Sequence, residues 1–317
     1  MFIRMRRELE GVAAKLNGRW AKQAIHLLRW TVPILLLAYL GYCLTRLGWA
    51  QVWKARPGGL LFYAVVVLQF YIQPVADLII YRNLLGVGRA LSLLVLLRKR
   101  YVNTLLDYSG EVYFFFWARK NLESKKGILV HAVKDTNVLS ASAGLVMVWL
   151  ALLAVVAVGS VKLPAVVHED LWTFLWLGSL PLVLVLALFV GGRRVTALSR
   201  RAILATFAIQ VARGIIQLAA EFAAWWFSGA LPSVALCIQF VVLRVVVTRL
   251  PLVPSKDLVF VGVGIAAAGL LDVSTPKVAA VLVLMTAVAL IQNLALVGLP
   301  WLFEQFQIRR RAAQAAS

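Results

Sequence analysis

Two sets of polar residues interrupt long apolar runs at helical spacing. Gln69, Gln73 and Asp77 follow one another at i, i+4 and i+8, and Gln210, Arg213, Gln217 and Glu221 recur at i, i+3, i+7 and i+11 further along the chain. Residues three or four apart share one face of a helix, so each set forms a polar stripe on an apolar rod. A charge at mid-bilayer costs at least ~2.5–3.5 kcal/mol on insertion scales, so such a stripe must face a helix bundle or a water-filled cavity rather than lipid. Arg213, near the middle of its apolar run, has no short route to the headgroups. At ~1.5 Å rise per residue it stands about 12 Å from Glu221, too far for an ion pair along one helix. Each therefore needs a partner on another helix, a hydrated cavity or a bound anion. Two readings of Arg213 stand side by side: a site for a lipid phosphate or other anionic group, and a clamp between helices with a carboxylate such as Asp77.

Other ionisable positions carry less. Arg244 lies about five residues from a cytoplasmic helix end, within snorkelling distance of the interface. Gln239, Gln292 and Asn293 suit interhelical hydrogen bonding, and Ser140/Gly144 and Gly264/Ala268 suit close packing. Glu111 sits among Tyr108, Tyr113, Phe114, Phe115 and Phe116, where an ionised carboxylate is costly unless a basic partner holds it, the alternative being a headgroup-level position that faces water. Arg98, Lys99 and Arg100 are the nearest candidate partners. His26, His131 and His168 are scattered, and Cys43 and Cys237 fall inside apolar runs, so neither a metal site nor a cofactor is expected. No Walker loop, dinucleotide glycine fingerprint, Gly-x-Ser-x-Gly or His-Glu-x-x-His occurs, which favours transport over enzymology.

The elements that position these residues are membrane helices. Of 317 residues 62% are hydrophobic and 15% charged, with a mean hydropathy of +0.87. A soluble domain carries roughly 25% charged residues. The apolar residues come in blocks of about 20, the length that spans a ~30 Å hydrocarbon core. The expected fold is all-α, a polytopic integral membrane protein of about eight transmembrane helices: 30–47, 59–81, 136–160, 171–191, 203–228, 232–249, 259–271 and 278–302. Two segments break the pattern. Residues 82–135 are too charged to cross simply and read as re-entrant or interfacial. Residues 250–257 hold Pro251 and Pro254 and read either as a cytoplasmic turn or as part of a transport site at a repeat interface.

The net charge of +20 could suggest nucleic acid, but the basic residues flank apolar blocks and form no basic-aromatic soluble face. With the N-terminus inside, 26 of the 33 Lys and Arg residues fall on inner segments and 5 on outer loops, Arg213 and Arg244 being within helices. The positive-inside rule then puts both termini in the cytoplasm, in a bacterial inner membrane. The domain plan is a basic amphipathic segment over 1–29, one transmembrane domain over 30–303, and a basic tail over 304–317. In the first segment Phe2, Met5, Leu9, Val12, Leu16 and Trp20 recur at helical spacing.

The run Asn103 to Gly110-Glu111, together with Arg249-Leu-Pro-Leu-Val-Pro-Ser-Lys-Asp257, resembles the flippase-like transmembrane domain of lysylphosphatidylglycerol synthases. The first motif of that family has an asparagine followed, several residues on, by Gly-Glu; the second is a Pro-rich turn after a helix. In this chain Val112 to Trp117 contain no arginine, Arg119 coming later, and Ser255, Lys256 and Asp257 stand where glycines and a glutamate are usual. No segment resembles the soluble lysyltransferase domain, so aminoacyl transfer is not implied. The resemblance and the polar stripes together lead to the expectation of a lipid flippase, or flippase-like transporter, for an anionic phospholipid or a polyprenyl-phosphate-linked glycan. Its substrate-binding residues would be drawn from Arg213, Glu221, Gln217, Gln210, Asp77, Gln73, Glu111, Asn103, Arg244, Lys256 and Asp257. An integral-membrane transferase using Glu111 or Asp107, and a scaffold for a glycosyltransferase or lipid synthase, are the alternatives. Expected partners are membrane lipids with anionic headgroups, and a second copy or a membrane enzyme.

Overall fold

The computed structural model describes residues 48–105, 109–122, 126–157, 198–249 and 256–298, with a few isolated positions besides. The expected spans 30–47 and 171–191, both terminal segments, Asp107 and most of the Pro-rich run lie outside the described residues. Within them the secondary structure is helical throughout, with no strand. In chain order the helices are α1 (Trp49–Lys54), α2 (Leu60–Leu85), α3 (Leu93–Leu105), α4 (Ser109–Asn121), α5 (Lys126–Ala157), α6 (Arg200–Ser228), α7 (Val234–Arg249), α8 (Lys256–Leu270) and α9 (Thr275–Asn293). The last continues into a π turn over Leu294–Gly298.

Their ends follow from local chemistry. Helix α2 stops at Gly86, whose φ of 64° is open to glycine at little cost and whose amide donates to the Arg82 carbonyl. The Ser199 hydroxyl accepts from the Ala202 amide at 3.2 Å and caps α6; the Ser233 hydroxyl does the same for Leu236 in α7. Pro276 lies in the first turn of α9, where its missing amide costs no hydrogen bond. These caps set starts that hydropathy alone misplaces. Helix α5 begins at Lys126, ten residues before the expected span, because its first turns are polar yet still helical.

Four helical stretches are long and apolar enough to cross a bilayer: Leu60–Leu85, Gly127–Val155, Arg200–Ser228 and Thr275–Leu296. Their surroundings invert the soluble pattern. Leu60, Leu153, Ile216 and Leu270 face outward, while Gln69, Asp77, Lys99, Gln210 and Glu221 are buried. Apolar side chains outside and charges inside suit a lipid solvent. The chain is an integral membrane protein.

Helix α2 is the hub. It lies along α6 and also meets α3, α5 and α9, while α6 packs on α5 and α7, and α8 joins α7 to α9. Phe62, Trp225, Phe240, Phe260 and Leu282 form the larger apolar core. Gly264 passes so close to α9 that a Cβ there would lie 2.8 Å from Leu282 Cδ1, which gives the Gly264/Ala268 pair its packing role. A smaller core of Tyr81, Leu91, Leu96, Phe114 and Leu129 seats α3 and α4 against the C-terminal half of α2.

Region 82–135, expected to be re-entrant or interfacial, is helical over most of its described residues. It holds two antiparallel 13-residue helices, α3 and α4, and the opening turns of α5. At ~1.5 Å per residue each short helix is about 20 Å long, less than the ~30 Å hydrocarbon core.

Candidate functional site

The polar stripe of α2 meets that of α6 in antiparallel register. Gly59 lies beside the Phe227 carbonyl, the Gln69 amide donates to Glu221 Oε2 at 3.4 Å, and Asp77 lies within electrostatic reach of Arg213. The same register sets Gln73 opposite Gln217, both half-buried. Two helices that each repeat a polar residue every third or fourth position thus form a ladder through the bundle.

Each end of the ladder is closed by a cation shared between two carboxylates. At one end Lys99 Nζ, on α3, is 2.8 Å from Asp77 Oδ2 and 3.5 Å from Glu111 Oε1. It also stands over the Tyr81 ring, 5.1 Å from its centre. At the other, Arg244 on α7 reaches Glu221 Oε1 at 3.1 Å and Asp257 Oδ1 at 3.4 Å, and lies over Phe260. Asp257 is 66% exposed by side chain, so this second group opens to the surface, whereas Lys99, Asp77 and Glu111 are enclosed.

Each trio carries one excess negative charge, and an arginine lies within reach but out of contact. Arg213 faces the field of Asp77; Arg100 faces that of Asp257 and, more weakly, of Asp77. The two trios and the two arginines together sum to zero charge. Lys99 and Arg244 serve all the carboxylates of the trios, which leaves Arg100 and Arg213 to bond neutral oxygens.

The oxygen that Arg100 takes is dictated by sequence. Pro74 lies inside α2 and has no amide hydrogen, so the carbonyl four residues earlier, that of Phe70, loses its helical donor. Arg100 Nη1 donates to that carbonyl at 2.5 Å, with its guanidinium 4.7 Å above the Phe70 ring. The α3–α4 pair is pinned to α2 at the proline break. Pro74 together with the basic run Arg98-Lys99-Arg100 was the available signal for this contact, which spacing alone did not reveal.

Asn103 and Gly110 hold the hairpin closed. The Asn103 Oδ1 accepts from the Gly110 amide at 3.4 Å and the Ser109 hydroxyl donates to the Val102 carbonyl at 2.7 Å. A Cβ at Gly110 would fall 2.3 Å from the Lys99 carbonyl oxygen, so only glycine lets α4 approach α3 this closely. The Asn…Gly-Glu motif thereby carries Glu111 to Lys99, the middle of the three basic residues expected to receive it. Among the described residues, Glu111 Oε2 is buried with no partner.

Asp77 does not clamp Arg213, because Lys99 occupies the carboxylate at 2.8 Å; Arg213 Nη2 instead donates to Ser140 Oγ on α5 at 3.3 Å. Arg244 is held by Glu221 and Asp257, which converge on it from α6 and α8, a pairing that the snorkelling expectation did not include. Gln210 is 1% exposed, and neither its amide oxygen nor its nitrogen has a partner among the described residues. Lys256 opens α8, half-buried. An apolar cavity of about 320 Å³ lies between α5, α6 and α7, lined by Leu150, Ala154, Leu218, Phe222 and Val241 among others. Compared with known proteins, the chain matches no family model, no curated protein and no solved structure.

Proposed function

We propose that this protein is a lipid flippase or flippase-like transporter, acting on an anionic phospholipid or a polyprenyl-phosphate-linked glycan in a bacterial inner membrane, with both termini cytoplasmic. The observation that carries the reading is Arg213. It is a half-buried cation in a membrane-length helix, and its one hydrogen-bond partner among the described residues is a hydroxyl. The remaining donors of its guanidinium are left for an anion. The antiparallel polar ladder beside it keeps half-buried amides, Gln73 and Gln217, along the path a headgroup would take. The apolar cavity between α5, α6 and α7 has the chemistry of a lipid chain. The resemblance of Asn103 and Gly110-Glu111 to the synthase flippase domain adds support of a different kind.

The internal pairing of the ladder's carboxylates favours one other reading, a scaffold whose charges only hold its helices together. Leaflet exchange of fluorescent phosphatidylglycerol in proteoliposomes separates the two. Exchange above protein-free vesicles is expected, and a folded protein that gives none would leave the scaffold.

A further inference from the structure

The polar side chains that satisfy one another cannot also be the ones that hold a ligand. Asp77, Glu111, Glu221, Arg244 and Asp257 all have ionic partners. A different group of polar side chains lies on α5 and α6. Gln210 and Arg213 share a face of α6, three residues apart, and Thr136 and Ser140 share a face of α5, four residues apart. Ser140 touches Arg213. Among the described residues, the hydroxyl of Thr136, 2% exposed, has no partner, and the Gln210 amide lacks partners at both ends. A buried amide or hydroxyl left unpaired is costly, and native interiors seldom keep several on adjoining helices without water or a ligand bound.

We infer that Arg213, Gln210 and the Thr136–Ser140 face form a binding site for the phosphodiester of a membrane lipid, one carrying a single negative charge. The proposal rests on the transport reading for its ligand class and narrows it. Guanidinium and amide N–H groups donate to phosphate oxygens, and the amide oxygen accepts from a hydroxyl on the alcohol. The charge limit comes from the neighbouring trio. Asp77, Lys99 and Glu111 sum to −1 and Arg213 restores neutrality, so a bound monoanion leaves one excess charge and a dianion two. The cost of burying charge in a low dielectric rises steeply with its size, which disfavours phosphomonoesters and diphosphates.

Native mass spectrometry of the purified full chain, with phosphatidylglycerol and phosphatidic acid as competing probes and inorganic phosphate as control, tests the site. Phosphatidylglycerol should be retained about tenfold better than phosphatidic acid, and Arg213→Gln and Gln210→Leu should each lower its retention about tenfold, the loss of one charge-assisted contact. Gln210→Leu is the decisive variant, because removing an amide with no protein partner leaves stability equal or higher. Undiminished retention by a folded Gln210→Leu protein overturns the site, as does preference for phosphatidic acid or binding of free phosphate alone. The transport reading has its own readout. Lipid retained by wild type but lost in Gln210→Leu, with no leaflet exchange, keeps the site and sinks transport; exchange unaltered in both variants keeps transport and sinks the site.

Discussion

If Arg100 substitutes for the amide that Pro74 lacks, its value should vanish when that amide is restored. Arg100→Leu leaves the Phe70 carbonyl buried and unpaired, a loss of about 1–3 kcal/mol. The same change also removes the contact with the Phe70 ring and a partly buried charge, whose effects have opposite signs and cannot be separated in a single variant. Pro74→Ala supplies the helical N–H to the same carbonyl, and it should stabilise α2 by an amount approaching the ~3 kcal/mol that an interior proline costs. A double-mutant cycle removes the shared terms. The ring contact and the desolvation of the guanidinium are lost in both backgrounds and cancel, and what remains is the coupling through the carbonyl. We expect about 1–2 kcal/mol, within the range for residues sharing a partner. The assay is unfolding in mixed micelles with increasing SDS, followed by tryptophan fluorescence, for the wild type, both single variants and the double variant. Equal destabilisation by Arg100→Leu in the wild-type and Pro74→Ala backgrounds would refute the reasoning, since the arginine would then be acting on something other than the proline break.

Other outcomes follow from the same geometry. Lys99→Met strands two carboxylates and should destabilise by ~3–5 kcal/mol, and Asp77→Asn with Glu111→Gln should restore most of the loss in the same unfolding assay; no recovery would mean that the trio is not an electrostatic unit. Gly110→Ala places a Cβ against the Lys99 backbone, so the hairpin must open and lose on the order of 1–3 kcal/mol. Glu111 should then part from Lys99, and an unchanged melting profile would contradict the close approach. For orientation, a cysteine at Ser274 should react with an impermeant thiol reagent in intact cells, and one at Ser199 only after permeabilisation; external labelling at Ser199 would invert the assignment.

The sequence carried the stripes but not their partners. Spacing of three and four residues was enough to place Gln69, Gln73 and Asp77 on one face and Gln210, Gln217 and Glu221 on another, because the period of a helix is fixed. Which stripe meets which depends on register between helices 152 residues apart, as in the Gln69–Glu221 contact, and no local rule contains it. The Asp77–Arg213 clamp is one of two readings that the sequence leaves open; Lys99 takes the Asp77 carboxylate because α3 folds back along α2 after a short turn. Hydropathy read 82–135 as broken, since lysines and arginines interrupt it. Helix formation needs only backbone hydrogen bonds, and Lys99 and Arg100 find their partners on the inner side of the hairpin. Gln210 was visible as a polar residue, but its lack of a partner among the described residues is a property of the packed bundle.

The charge arrangement also constrains how such a protein could move a lipid without collapsing. Were each cation paired with one carboxylate at contact distance, an arriving phosphate would have to break an ion pair in low dielectric, at a cost of several kcal/mol. Here the carboxylates are doubled on Lys99 and Arg244, and the balancing charges of Arg213 and Arg100 are held at a distance. On the proposed transport reading, Arg213 would bind and release an anion by exchanging a long-range interaction and a single hydroxyl contact, leaving the trio that locks α2, α3 and α4 intact. The proposed substrate site and the structural lock share a field but no hydrogen bond. That separation predicts different phenotypes for neighbouring charges: loss of Arg213 should silence transport in a protein that still folds, whereas loss of Lys99 should unfold it. Proteoliposome exchange per folded protein, read beside the SDS unfolding midpoint, checks both. An Arg213→Gln protein as unstable as Lys99→Met would show that the two charges belong to one structural unit.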